Sequence, residues 1–306
     1  MQYRQLSGEF STVCFTTATP FSADGSEVDH EELSANLSWM ADAGARVFIA
    51  CGNTGEYYSL STDERVAVVE THVEEVGDRG TVVGGVGGST KDAIALIEAY
   101  EDAGADAIMV TNPDHTHIHE RGLVEYYERL AASTDLGLVP YKRGPEISHS
   151  VLMELTTIEN IVAVKYAVPD LNAFARAVQE SPGDVTWVNG IAERYALSFA
   201  IEGATGYTTG IGNFAPESTL ELHAAVQNGE WDRARRLRAP LQLFEELRAD
   251  TGPDNALSAA NSVSAVKYGM ELAGLYGGPV REPLVDLAAD DQRRADELFE
   301  AIESTT

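Results

Sequence analysis

The sequence predicts a parallel α/β fold, closed most simply as a (β/α)8 barrel with further helices at its C-terminal end. Three observations carry this. A phrase recurs in which a helix-like stretch runs into Gly-Ala and then into a β-branched or apolar run: MADAGARVFIA (40–50), YEDAGADAIMV (100–110) and AIEGATGYTTG (200–210). Strand-like segments stand at 11–17, 46–50, 81–85, 107–110, 136–141, 161–166, 185–189 and 206–209. Between them, stretches such as HEELSANLSWMADAG and KDAIALIEAYEDAG carry helical periodicity.

In each recurrent phrase the glycine sits where a helix ends, and the run after it reads as a buried parallel strand. Eight strand–helix units suit a closed barrel, with an open doubly wound sheet as the alternative. From about Pro216 onward the pattern is helical only, with WDRARRLRAPLQLFEELRAD and DQRRADELFEAIES as amphipathic pieces. No linker or low-complexity run interrupts the chain. The expected division is a barrel carrying the active site over 1–222 and helices packed on it over 223–306.

Composition narrows the function. The 306 residues hold 49 acidic against 21 basic side chains, a formal net charge of −28. Such a surface repels nucleic acid and anionic membranes, so neither is an expected partner. The acidic residues are spread through amphipathic segments, which suggests adaptation to concentrated salt and not a disordered acidic tail. No run of eighteen apolar residues occurs, and MQYRQLSGEF lacks an apolar signal core, so a cytoplasmic protein is expected. Two cysteines, Cys14 and Cys51, exclude a disulfide framework and a structural zinc cluster.

In a barrel the chemistry belongs at the C-terminal ends of the strands. Lys165 in IVAVKYAV is the first candidate. Burial among apolar residues disfavours an ammonium, and a neutral lysine attacks carbonyls to form Schiff bases. The plainer alternative is a lysine that snorkels out or pairs with a carboxylate. Only four of the 21 basic residues are lysines, which favours chemistry for one kept in an apolar strand.

The second candidate is Cys51-Gly52-Asn53-Thr54-Gly55-Glu56, whose small residues let backbone N–H groups face a cavity and seat a carboxylate. An ordinary βα turn is the alternative, and Ser61-Thr62-Asp63-Glu64 behind it has the form of a capping box. Tyr141, ending the fifth strand, either transfers a proton or packs with its hydroxyl bonded. GGVGGS (84–89) lacks the spacing of a phosphate loop and reads as a turn. His115, His117 and His119 in HTHIH read as a polar loop over the barrel more readily than as metal ligands, and no metal is expected. Arg233, Arg235, Arg236 and Arg238 read as a salt-bridged helix surface.

Taken in order, GNTGE after the second strand, the tyrosine ending the fifth and VKYAVPDL on the sixth resemble the dihydrodipicolinate synthase/N-acetylneuraminate lyase family. Val188-Asn189-Gly190 and GATGYTTGIGNFAPE extend the resemblance over roughly 8–300. It implies a (β/α)8 barrel with C-terminal helices, assembled as a homotetramer, and a Schiff base between the strand-six lysine and a 2-oxo acid. No cofactor is implied. Lys165 becomes the Schiff-base lysine and Tyr141 the proton-transfer tyrosine. Thr54 relays protons and, with the Asn53 backbone, holds the substrate carboxylate, while Gly190 and Thr208 line the pocket.

Three departures from the synthase pattern bear on the reaction. Asn53 replaces the first threonine of GTTGE. Glu146 falls near the position of the arginine that holds the synthases' second substrate, where a carboxylate repels an acid, although Arg143 lies close. Thr111-Asn112-Pro113-Asp114-His115 has no relay tyrosine, with His115 or His117 as a replacement. VKYAVPDL and GIAERYA look closer to sugar-acid aldolases and dehydratases. The expected activity is therefore aldol cleavage or condensation of a 2-oxo acid such as a 2-keto-3-deoxy sugar acid. The alternatives are a 5-dehydro-4-deoxyglucarate dehydratase-like reaction, 4-hydroxy-tetrahydrodipicolinate synthase, and a silent 2-oxo-acid-binding barrel.

Overall fold

The computed structural model describes residues 2–305. Eight parallel strands close into a barrel in chain order: β1 (Val13–Thr16), β2 (Val47–Ala50), β3 (Thr81–Val86), β4 (Ala107–Val110), β5 (Gly137–Lys142), β6 (Ala163–Tyr166), β7 (Thr186–Asn189) and β8 (Gly206–Thr209). β8 pairs back onto β1, which rules out the open doubly wound sheet. The strand positions match those expected from sequence, with ends trimmed or extended by one or two residues.

The glycines of the recurrent phrase do what their positions predicted. Gly44, Gly104 and Gly203 all take positive φ, of 113°, 93° and 111°, turning the chain from helix into strand. Helices α2 (His30–Asp42), α3 (Thr62–Val76), α4 (Thr90–Ala103), α5 (Glu120–Ala131), α6 (His149–Leu155), α7 (Leu171–Glu180) and α8 (Ala196–Ile201) follow successive strands. The capping box is present at α3, where Ser61 and Glu64 bond each other's backbone N–H.

Alternation along the strands sorts the apolar residues into two layers. Cys14, Val47, Ile49, Val83, Met109, Val139, Tyr141 and Val188 fill the barrel interior. Phe15, Phe48, Val82, Ile108, Leu138, Val164, Trp187 and Tyr207 face the helices. Lys165 lies in register with Tyr141 on one side and Val188 on the other, and so faces inward.

A helix before the barrel, α1 (Gln2–Glu9), was not anticipated from sequence. Too short to persist alone, it is held by the barrel floor: Leu6 packs on the interior layer and Ser7 Oγ donates to the Val162 carbonyl at 2.7 Å. At the other end come α9 (Pro216–Gln227), α10 (Trp231–Ala249), α11 (Ser262–Leu272) and α12 (Ala289–Glu303). Helix α10 packs on α9, α11 and α12 and reaches the rim of the barrel. Among the described residues no helix is long and apolar enough to cross a membrane.

Candidate active site

The C-terminal ends of the strands open into a cavity of about 330 Å³. Thr16, Tyr141, Lys165, Gly190 and Thr208 reach it from strand ends, and Asn53 and Thr54 from the turn after β2. Thr16, unmarked in the sequence reading, donates to the Thr209 carbonyl at 2.6 Å and lies 3.1 Å from the Thr54 hydroxyl. Thr208 Oγ1 reaches the Asn189 carbonyl at 3.5 Å.

Lys165 is 5% exposed, with Nζ 4.1 Å from the centre of the Tyr141 ring. Burial brings its pKa down to about 8; the charges of Arg143 and Arg248 add to the fall, and Cys14 opposes it. Among the described residues no carboxylate pairs with it, so the amine, beside an open cavity, loses its proton more readily than an ordinary lysine. The Tyr141 phenol is raised by burial, an effect that Arg143 and a hydrogen bond with the Asn53 side chain partly offset.

Gly190 makes room for the lysine. A Cβ there would stand 2.9 Å from Lys165 Cγ and 2.8 Å from Ala167 Cβ. Just beyond it the chain is strained: Ala192 sits at φ 56°, ψ −153°, a region essentially reserved for glycine. Asn189 clamps this turn, donating to the Ala192 carbonyl at 2.9 Å and accepting from Ile191 N at 2.8 Å. Cys51 and Glu56, flanking the GNTG turn, and Ala259 on the cavity wall also take positive φ, so strain gathers around this one opening.

Glu56 anchors the GNTGE turn from below. It forms a buried ion pair with Lys267 at 2.6 Å and accepts from Arg281 N at 3.0 Å, fastening the turn to the C-terminal segment.

The opposite rim is built by residues that the sequence reading passed over. Arg194 comes from the turn after β7, Glu245 and Arg248 from α10, and Ser262 from the start of α11. Of the four arginines expected to form a salt-bridged surface on α10, Arg233 and Arg235 pair with carboxylates and Arg238 donates to the Arg194 carbonyl, while Arg248, in the last turn, lay outside that expectation. Only the fold carries that turn to the barrel mouth, so no local signal marked it.

One expectation changes. Glu146 does not line the Lys165 cavity; it borders a neighbouring depression with Tyr58, Asn112 and His115, whereas Arg143 faces both. The strand-five loop thus turns the Glu146 carboxylate toward the neighbouring depression and leaves Arg143 on the wall of the Lys165 cavity. The histidines lie in an exposed loop, as expected: His119 Nδ1 accepts from Arg121 N as the cap of α5, and His115 Nδ1 accepts from His117 N. Among the described residues no group of three His, Cys, Asp or Glu side chains is placed to hold a metal.

Comparison with known proteins agrees with the fold. The model of the dihydrodipicolinate synthetase family matches residues 9–302. A 4-hydroxy-tetrahydrodipicolinate synthase of Methanothrix thermoacetophila is 30% identical, covering 94% of this chain and 95% of the relative. A probable 5-dehydro-4-deoxyglucarate dehydratase of Ralstonia nicotianae is 33% identical over 88% of this chain and 86% of its own. The crystal structure of dihydrodipicolinate synthase from Oceanobacillus iheyensis superposes with a TM-score of 0.93, at 32% identity and 99% coverage of both chains.

Proposed function

Because the chain belongs to the dihydrodipicolinate synthetase family, we propose that it works through a Schiff base on Lys165, as a lyase acting on a 2-oxo acid. The observation that carries the reading is the buried Lys165 amine, its pKa lowered to about 8, beside Tyr141 on a cavity wall.

The neutral amine adds to the C2 carbonyl, and loss of water, with one proton supplied by Tyr141, leaves a protonated imine and the Tyr141 phenolate. The Asn53–Thr54 turn holds the C1 carboxylate, with Gly190 and Thr208 shaping the pocket. The imine then accepts an electron pair. In aldol cleavage the C4 hydroxyl gives its proton to Tyr141, the C3–C4 bond breaks, and its electrons form the enamine. Protonation at C3 and hydrolysis release pyruvate and free the amine. In dehydration the C3 proton leaves first, and the enamine expels the C4 hydroxyl, which departs as water. Thr54 and Thr16, hydroxyl to hydroxyl, form the inner end of the proton path.

Relatives named as probable 5-dehydro-4-deoxyglucarate dehydratases, at 29–33% identity, favour dehydration of a 3-deoxy-2-oxo sugar acid over the aldol reaction that sequence alone suggested. A silent barrel is disfavoured by the joint presence of Lys165, Tyr141 and Thr54 in one cavity. Cytoplasmic location and a homotetramer belong to the same reading; the exposed Ile201 and Trp231, beside the buried Leu197, form an apolar strip that supports assembly.

Borohydride with pyruvate is expected to fix an adduct on the Lys165 peptide, read by mass. Absence of any adduct with a panel of 2-oxo acids ends the reading. Product analysis separates the reactions: pyruvate marks the aldolase, and a 2,5-dioxo acid, or the semialdehyde left when its far carboxyl departs as CO2, marks the dehydratase.

A further inference from the structure

The turn after β2 is strained at both ends. Cys51 and Glu56 take φ of 52° and 55°, left-handed values that a side chain makes costly. Among the described residues the N–H groups of Asn53 and Thr54 donate to no protein acceptor, and both residues line the cavity. Two free donors on a strained loop converge on one ligand only when the tilt of that loop is fixed from outside.

On the barrel side the fixing contact is short. Thr19 Oγ1 donates to the Gly55 carbonyl at 2.9 Å, and a Cβ at 55 would stand 2.9 Å from the Thr17 carbonyl oxygen. On the other side two cations of the C-terminal segment close on Glu56. Lys267, from α11, meets Glu56 Oε1 at 2.6 Å, donates to the Pro279 carbonyl at 2.6 Å and stands 4.3 Å from the centre of the Phe21 ring. Arg281 donates its backbone N–H to Glu56 Oε2 at 3.0 Å. Its guanidinium, 4.0 Å from the same ring, donates to the carbonyls of Gly25 and Ser59 at 2.7 and 3.1 Å and to Glu64 Oε1 at 2.7 Å. One residue thus ties the loop after β1, the chain beyond the turn and the start of α3.

Glu56 is 3% exposed and Lys267 2%, so water does not replace a contact that either one loses. Neither Lys267 nor Arg281 lines the cavity, whereas Lys165 and Tyr141 reach it from β6 and β5. The clamp and the reacting amine therefore stand on separate elements.

We propose that Lys267 and Arg281 are positioning residues for the substrate carboxylate: through Glu56 they set the tilt at which the Asn53–Thr54 turn presents its N–H groups to the cavity. This rests on the Schiff-base reading, in which that turn holds C1 while Lys165 takes the keto carbon. The C-terminal helices then contribute to recognition from outside the pocket, and their contribution is confined to carbonyl compounds that carry the acid group.

The test compares borohydride trapping on the Lys165 peptide for pyruvate and for hydroxyacetone, in which a hydroxymethyl group replaces the carboxylate. Rates are taken at limiting ketone. The double variant Glu56→Gln/Lys267→Met leaves no orphaned charge, and its pyruvate-to-hydroxyacetone ratio is expected to fall at least about tenfold, the scale of one charge-assisted hydrogen bond. A merely structural loss slows both ketones alike, so an unchanged ratio in the folded double variant overturns the proposal. Thermal melting checks folding. Should the double variant not fold, Arg281→Gln decides: its ratio is expected to fall at least about threefold, and no change overturns the proposal. A wild type that traps pyruvate no faster than hydroxyacetone also overturns it, with the imine chemistry left standing. If the wild type traps neither ketone nor any other 2-oxo acid, the Schiff-base reading itself fails.

Discussion

Gly190 and Lys165 are fitted to each other: the space a Cβ would occupy at 190 is taken, at 2.9 Å, by the Cγ of the lysine. Gly190→Ala pushes the aliphatic stem aside and swings Nζ off the Tyr141 ring. Borohydride trapping of pyruvate is expected to slow by about tenfold or more, since small displacements of a reacting group cost that much. Trapping at the wild-type rate, in a variant with unchanged circular dichroism, would show the contact to be irrelevant.

The amine's depressed pKa sets a pH profile. Below about 8 the ammonium dominates, and the neutral fraction falls about tenfold for each pH unit. Initial trapping rates are expected to climb from pH 6 to about pH 8 and then level. A flat profile across that interval contradicts a poised amine.

The same burial makes Lys165 a thermodynamic burden. The unfolded chain binds a proton that the folded one resists between about 8 and the ordinary 10.5, so the group opposes folding at pH 7 and less so as pH rises through that window. Lys165→Met is expected to abolish turnover yet stabilise the fold at pH 7 by roughly 1–3 kcal/mol, read from denaturant midpoints. A destabilised variant would refute this.

Glu56 and Lys267 form the opposite case. Burial raises the first and lowers the second, and their 2.6 Å contact offsets that penalty. Either Glu56→Gln or Lys267→Met alone is expected to cost about 3–5 kcal/mol, because one charge stays buried without its partner. Replacing both should recover at least half in the same denaturation assay. Strict additivity of the two losses would show that the pair is not coupled.

The surface charge predicts a salt response. With 49 acidic side chains against 21 basic, screening relieves self-repulsion as the Debye length shrinks from about 10 Å at 0.1 M to about 3 Å at 1 M. The melting temperature is expected to rise steadily from 0.1 to 2 M KCl. A constant or falling melting temperature would dismiss adaptation to salt.

Scarcity of lysine pointed to Lys165, but the structure gives that scarcity another meaning. Lys142 and Lys267 are buried too, the first donating to the carbonyls of Gly144 and Ile147 at 2.9 and 2.6 Å, the second paired with Glu56. Three of the four lysines thus carry an ammonium into the interior, and Lys91 stands exposed. What distinguishes Lys165 is that its amine meets a cavity and not a carbonyl or a carboxylate.

Local pattern was enough for the barrel and for half of the site. Glycines ending helices, apolar strand runs and the strand-end rule put Asn53, Thr54, Tyr141 and Lys165 at the mouth, and the family resemblance added Gly190 and Thr208. The other half depended on contacts across long stretches of chain. Thr16 meets Thr54 because the barrel aligns β1 with β2, and Arg248 meets the cavity because α10 folds back over Gly210. Glu146 is turned away by its loop. Periodicity records which face of an element is apolar; it does not record what that element is packed against.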